Sequence, residues 1–456
     1  MPIETKARTG ARRLLGGGGW ILGAALGCLF PSTPAAAATA IVDCSGQTAG
    51  AFTSVNAALG SLTGTLGPGE WDRVLLKSDC TENVVVTGGR RVWIAPEGSD
   101  CPFAGCPWGP ALRISAASAT ADVVNISGPQ EVTLVHLVLS GGTTGLRVAG
   151  TATVTTFDVV AEDNTGAGIA VAQGASININ EGGARRNGWF GITCTENSYA
   201  HLQGAASWLH GESIVVTDNR GGLWVDRGAM DVGGGVRVDG NHGAGVVAYG
   251  ANLLFGAWVG ESLIQNNAGG VYVSEGSQVT LWTSGTGTTT IRNNGTYGVY
   301  TEKNSHVSIY DVLVEGHTEV GVDVVMNSQA ALHGTRVQGN GSAPRRSMGL
   351  RVDGSSQAYL DEARLTDNRG PGVVVDLNSS VEARATVVTG NGSEGFRVRS
   401  GSFLALGSGG TLQPNGGPPV TCDALSHVVT RALSSSPACR NVDRPSQPRP
   451  VRPPNP

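Results

Sequence analysis

Arg237, Asp239, Arg292 and Glu315 are the side chains whose types and spacing come nearest to a reacting centre in this sequence. Each lies two or four residues before a recurring Asn, or the His317 that replaces it, where strand alternation turns side chains outward. Gln265, Arg336 and Arg364 occupy equivalent positions in other copies of the pattern. Arginines in such a row could hold the carboxylates of a uronate polymer by paired hydrogen bonds while an acid moves a proton. That is lyase or epimerase chemistry. Asp239 and Glu315 would nevertheless stand three coils apart, about 14 Å, which exceeds the separation of paired carboxylates in glycoside hydrolysis. A solvated face of mixed charge accounts for the same residues.

Two further outward groups invite ligands. Asp353 and Asp376 fall on adjacent coils, with Arg351 and Arg397 in the neighbouring column, close enough for the acids to share a cation such as Ca2+. No calcium motif accompanies them, so no metal site or cofactor is expected. Trp224, Tyr272 and Tyr300, with Val247 among them, form an aromatic stripe that could stack sugar rings or a partner protein. Aromatic and β-branched residues also favour strands for their own sake. Cys194 falls in an inward column with Val148, Val171 and Val225 and reads as an inert thiol. The eight histidines lack metal spacing.

What would position these residues is a repeat. Glycines 145, 168, 191, 222, 245, 270, 298, 321, 349, 372 and 395 each precede a short apolar strand, and six of the ten intervals are 23 residues. The longer intervals place extra residues near 203 to 211, 283 to 289 and 341 to 346, loops suited to function. Five or six residues beyond each anchor stands a Gly or Asn (150, 174, 197, 228, 250, 276, 304, 327, 354, 378, 401), the residues that take left-handed turns cheaply. Three alternating strands per unit cannot all form hairpins; stacked coils pair each strand with its equivalent about 4.8 Å away. An Asn column (164, 187, 219, 241, 267, 294, 340, 368, 391) would bond along the stack, with His317 as a turn residue in one rung.

The ends differ from the middle. Lys6, Arg8, Arg12 and Arg13, the apolar run from Trp20 to Phe30 and the alanine-rich stretch to Ala40 have the order of a secretory signal over 1–40, too short for a membrane span. Cys28 is a poor context for a lipid anchor. Export would favour disulfides, most simply Cys44 with Cys80, Cys101 with Cys106 and Cys422 with Cys439. Phe52, Val55, Leu59 and Leu62 suit a short capping helix within a first segment, 41–110, that also holds the first coils. Repeats are expected over 111–406, a cap over 407–440 and a Pro-rich disordered tail over 441–456. A net charge of -5 with scattered arginines excludes a nucleic-acid binder.

The Asn-x-Gly-x-Gly-Ile-x-Val units resemble those of right-handed parallel β-helices in the pectin lyase-like superfamily, over roughly residues 41 to 405. The opening residues 41–44 and the stretch 78–85 resemble the N-terminal cap and first coils of bacterial secreted members. The resemblance implies an all-β, single-stranded helix of three-strand coils, and in enzymes of the family a groove along the sheet that would carry Arg237 and Asp239 here. Polygalacturonase-like signatures are reduced to Gly316 and His317, and an Arg-Pro element occurs only in the tail. The expectation is a secreted or cell-surface protein that binds polysaccharide or a partner without catalysis; the alternative is a polysaccharide lyase or epimerase.

Overall fold

The structure is a computed structural model describing residues 38–62, 70–99, 110–204, 213–342 and 347–430. The segment 1–37, Cys101, Cys106, Cys439, the tail and most of the expected loops at 203–211 and 341–346 lie outside the described residues.

The chain forms a parallel β-solenoid whose only helix among the described residues is Val55–Ser61. Every strand pairing is parallel, each strand meeting its equivalent on the neighbouring coil, as in Val246↔Val271↔Val299↔Val322. A narrow sheet of 14 strands contains the segment after each anchor, and a second sheet carries the two remaining segments of each coil. Inward side chains form one continuous core of Val, Ile, Leu and Ala, with Phe255 and Phe396 the largest fully buried. Burying each Val, Ile, Leu or Phe side chain stabilises by about 1.5–3 kcal/mol.

The Asn column is a hydrogen-bonded ladder. Asn187 Nδ2 donates to Asn219 Oδ1 at 2.9 Å and to the Ala161 carbonyl at 3.0 Å, while its backbone N–H also donates to Asn219 Oδ1 at 3.0 Å. The pattern repeats down to Asn391 and Asn415. Each anchor glycine is needed because a Cβ on Gly168 would lie 2.8 Å from the Asn187 amide nitrogen and 2.6 Å from the Gly191 carbonyl oxygen. Close approach, not a left-handed backbone, selects glycine there.

The left-handed turns occur at the expected Gly and Asn positions with one correction: at the 228 turn the positive φ, 51°, belongs to Arg227. The residue following these turns is often a buried serine, and the serines make a second ladder: the N–H groups of Ser328, Ser356 and Ser379 donate to the hydroxyls of Ser356, Ser379 and Ser402 at 3.1–3.3 Å. A second left-handed column precedes the asparagines, including Asp163, Arg186, Asp218, Asn266 and Asn293.

At the N-terminal end the helix is shorter than its apolar spacing indicates. Phe52 lies before it in a bridge to Val42, and Leu62 is its C-cap. Ser54 caps it, and Glu82 from the first coil accepts the Val55 N–H at 2.6 Å and the Asn56 N–H at 3.2 Å. Cys44 and Cys80 form a disulfide beside this end, and Cys422 is also disulfide-bonded. Coils continue beyond the boundary expected at 407. Val420–Cys422 pairs with Phe396–Val398, and His427–Thr430 with Phe403–Leu406. The extra coil carries Pro419 where the eleven coils before it have their anchor glycine, which hides it from a count of glycines.

Candidate functional site

The coils fix three outward surfaces. On the third segment, Asp239, Gln265, Arg292 and Glu315 are successive register partners, and Arg237 lies two residues before Asp239 on the same strand, so the four chemical candidates share one face. Their polar atoms are turned on one another. Asp239 Oδ2 accepts from Arg237 Nε at 2.9 Å and from Gln265 Nε2 at 3.1 Å, and Oδ1 accepts from Asn266 at 2.8 Å. Arg292 donates to Gln265 Oε1 at 2.8 Å, and Gln338 donates to Glu315 Oε2 at 3.0 Å. Burial would raise the Asp239 pKa, but the Asn266, Gln265 and Arg237 contacts outweigh it and hold the acid low. A carboxylate so held is a poor proton donor at neutral pH. Three coils earlier in the same column Glu162, 2% exposed, binds Arg113 at 2.7 Å, Arg185 at 2.6 Å and Arg186 at 2.9 Å. Its pKa is also lowered, the arginines overcoming desolvation.

The narrow sheet carries the aromatic stripe. Trp224, Val247, Tyr272, Tyr300, Asp323 and Arg351 are successive register partners. Tyr272 and Tyr300 are stacked, 5.6 Å apart and 3° from parallel, and Trp224 packs against Trp189 and Phe190 at 5.2 and 4.7 Å. Beside the stripe lies an acid that the repeat does not reveal, Glu302, 7% exposed. Its Oε1 accepts the Tyr272 hydroxyl at 2.5 Å and the Ser274 hydroxyl at 3.2 Å, and its Oε2 accepts the Tyr300 hydroxyl at 3.1 Å. Burial first, and then Glu302, push the Tyr300 pKa up to about 12. Stacking along the axis occupies the ring faces, and Glu302 occupies the hydroxyls.

Asp353 and Asp376 stand at equivalent points of adjacent coils, next to the register pair Val352↔Val375. Arginines take the place a shared cation would have. Arg399 Nη2 lies 2.8 Å from Asp376, Arg351 lies 3.7 Å from Asp353 and 2.9 Å from Asp323, and Arg397 pairs with Glu394 at 2.7 Å. Among the described residues the grouping of metal-ligand types is Cys44, Cys80 and Glu82, whose sulfurs are joined to each other. Cys194 is buried, and desolvation raises its pKa to about 12, far from a reactive thiolate.

A second aromatic column, missed in the sequence, lies outside the second segment. Trp282, Tyr310, His333, Asp361 and Arg384 are successive register partners. Trp258 joins it from the preceding coil, 4.8 Å from Trp282. Tyr310 stacks on His333 at 4.9 Å, and His333 lies 5.6 Å from Tyr359. Unlike the first stripe it is open: Trp258 is 62% and Tyr310 39% exposed. The signal was present, since Trp282 and Tyr310 each follow the inward residue that ends an alternating run, Leu281 or Ile309.

Coils of this kind, stacked in parallel around one apolar core, define a β-helix, and the chain belongs to that family: the model described as "Right handed beta helix region" matches residues 122–283 and 234–408. No curated protein matches the sequence. Among solved structures, the chain is similar to the GH136 lacto-N-biosidase from Eubacterium ramulus, with 11% identity, 86% of this chain and 68% of that one covered, and a TM-score of 0.25. It is also similar to tailspike protein 3 of bacteriophage CBA120, with 10% identity, 81% and 55% covered, and a TM-score of 0.24.

Proposed function

We propose that this is a secreted or cell-surface β-helix protein that binds polysaccharide along its lateral surface without catalysis. The open aromatic column from Trp258 through Tyr310 carries this reading, because exposed aromatic rings on a rigid sheet are ready contact surfaces. The stripe of Trp224, Tyr272 and Tyr300 is a weaker candidate, its faces and hydroxyls being engaged within the protein. Support for a non-catalytic role comes from the acids, since Asp239 and Glu302 each accept several hydrogen bonds from neighbouring side chains. The Cys44–Cys80 disulfide suits an oxidising compartment. Among the described residues no helix is long and apolar enough to cross a membrane.

Retardation of the purified protein in polysaccharide gels tests the reading, with mobility unchanged in every polymer as the result against it. Incubation with uronate polymers tests the lyase or epimerase alternative. Unsaturated products or epimerised residues would overturn the non-catalytic assignment.

A further inference from the structure

Beside the open aromatic column the second segment presents two more outward columns. Thr280, Ser308 and Ala331 are register partners, as are Gln278, His306 and Gln329. Over these three coils the sheet therefore offers an aromatic wall of Trp282, Tyr310 and His333, a floor of small side chains, and a polar wall. The wall amides of Gln278 and Gln329 are exposed and have no hydrogen-bond partner among the described residues. Each amide supplies both a donor and an acceptor, as sugar hydroxyls require. Tyr359 rises from the floor column on the next coil, where a depression of about 290 Å³ continues between Gln357, Tyr359 and Phe403.

No acid, lysine or arginine is among the nine side chains of these three coils; acids enter at their C-terminal end, Asp361 at 3.7 Å from His333 and Glu382 in the depression beyond. A row of arginines runs along the third segment at Arg237, Arg292, Arg336 and Arg364, and on the second segment Arg384 stands two coils beyond His333, where it donates to the Tyr359 hydroxyl at 3.2 Å. Over these three coils a bound polyanion would meet no lysine or arginine, whereas an uncharged sugar chain would find apolar surface on one side and amides on the other. Direct coil stacking repeats these contacts every ~4.8 Å, which favours an extended polymer lying along the axis.

On these grounds we infer that the trough between Gln278, Gln329 and Trp282, Tyr310 binds an uncharged, extended polysaccharide. The inference rests on the lateral-binding reading and gives it a site and a ligand class.

Affinity electrophoresis with galactan, mannan and β-glucan, alongside polygalacturonate and dextran sulfate, tests it. At least one uncharged polymer should retard the protein equally in low and high salt. Gln329→Ala and Tyr310→Ala should each weaken that retention roughly tenfold, as for a central contact, while Trp224→Ala leaves it unchanged. Both changed side chains lie outside the core, and a native circular dichroism spectrum verifies folding. Retention only by the anionic polymers, or retention by uncharged ones that ignores both substitutions, would overturn the inference and leave lateral binding standing. Retention by none would remove both.

Discussion

The Nδ1 of His317 accepts the backbone N–H of Asn294 at 3.2 Å, in the place where the neighbouring rungs offer an asparagine Oδ1. Its Nε2 faces the Ile291 carbonyl at 3.1 Å, so the neutral imidazole imitates an amide, accepting with one atom and donating with the other. A second proton would have to point at the Asn294 N–H. The ring is fully buried, and desolvation lowers its pKa from 6.5 to about 4.

His317 should therefore make stability depend on pH. Because the folded pKa is depressed, the unfolded chain binds the proton first, and stability falls as pH drops from about 6.5 towards 4. The loss from this residue amounts to about 3 kcal/mol, and it levels off below the folded pKa. His317→Asn should restore the amide rung and flatten that part of the profile. Urea denaturation at pH 7 and pH 4 gives the comparison; equal losses for parent and variant would refute the assignment.

Asn219→Ala should cost about 3 kcal/mol or more. It strips the Asn187 backbone and side-chain amides of their acceptor at 3.0 and 2.9 Å and leaves the Ala184 carbonyl without its 3.1 Å donor, all in a buried place. Arg237→Ala, at an exposed ion pair, should change stability by less than about 1 kcal/mol. Chemical denaturation of both variants checks the contrast, which similar midpoints would abolish.

Gly245→Ala and Gly276→Ala separate two reasons for glycine. At Gly245 a Cβ would sit 2.7 Å from Ile264 Cγ2 and 2.8 Å from Asn267 Nδ2; at Gly276, with φ +74°, it would meet nothing within 4 Å. Overpacking at the first should cost about 1–3 kcal/mol and should disturb the Asn267 rung. The second should cost about 1–2 kcal/mol through the backbone alone. Calorimetry gives the losses, and slowed or unchanged amide exchange at Asn267 in Gly245→Ala would contradict the first mechanism.

Glu302→Gln should shift the tyrosine titration downward. Removing the charge takes away one of the causes that raise Tyr272 and Tyr300, while their burial remains. Tyrosinate absorbance followed against pH measures this, and an unmoved curve would mean that Glu302 does not act on the phenols.

The fold was legible because its requirements recur. The equivalents of Gly168, Asn187 and Val171 satisfy the same contacts from coil to coil, His317 and Pro419 excepted, so close approach, amide pairing and core filling are written into the sequence at a nearly fixed interval. Candidate sites are less legible because they depend on what differs between coils. Asp239 looked available by alternation, yet Asn266 and Gln265 from the next coil claim its oxygens. Glu302 gave no periodic signal at all; its role arises from tyrosines on two coils whose hydroxyls converge there. Trp258 sits in a short kink between the second and third segments, where extra residues break the interval and obscure the register.

The asparagine and serine ladders also give the stack a direction. The N–H of Asn187 donates to Asn219, that of Asn219 to Asn241, and that of Ser356 to Ser379, always from an earlier coil to the next. A coil can thus supply acceptors to its predecessor as soon as it docks, but its own ladder donors wait for the coil that follows. Shortening the stack from its C-terminal side strands backbone donors, whereas shortening it from the N-terminal side strands the Oδ1 and hydroxyl acceptors together with one side-chain N–H, such as that from Asn187 to Ala161. Buried donors tolerate isolation less well than carbonyl-type acceptors, so the two ends are chemically unequal places to cut.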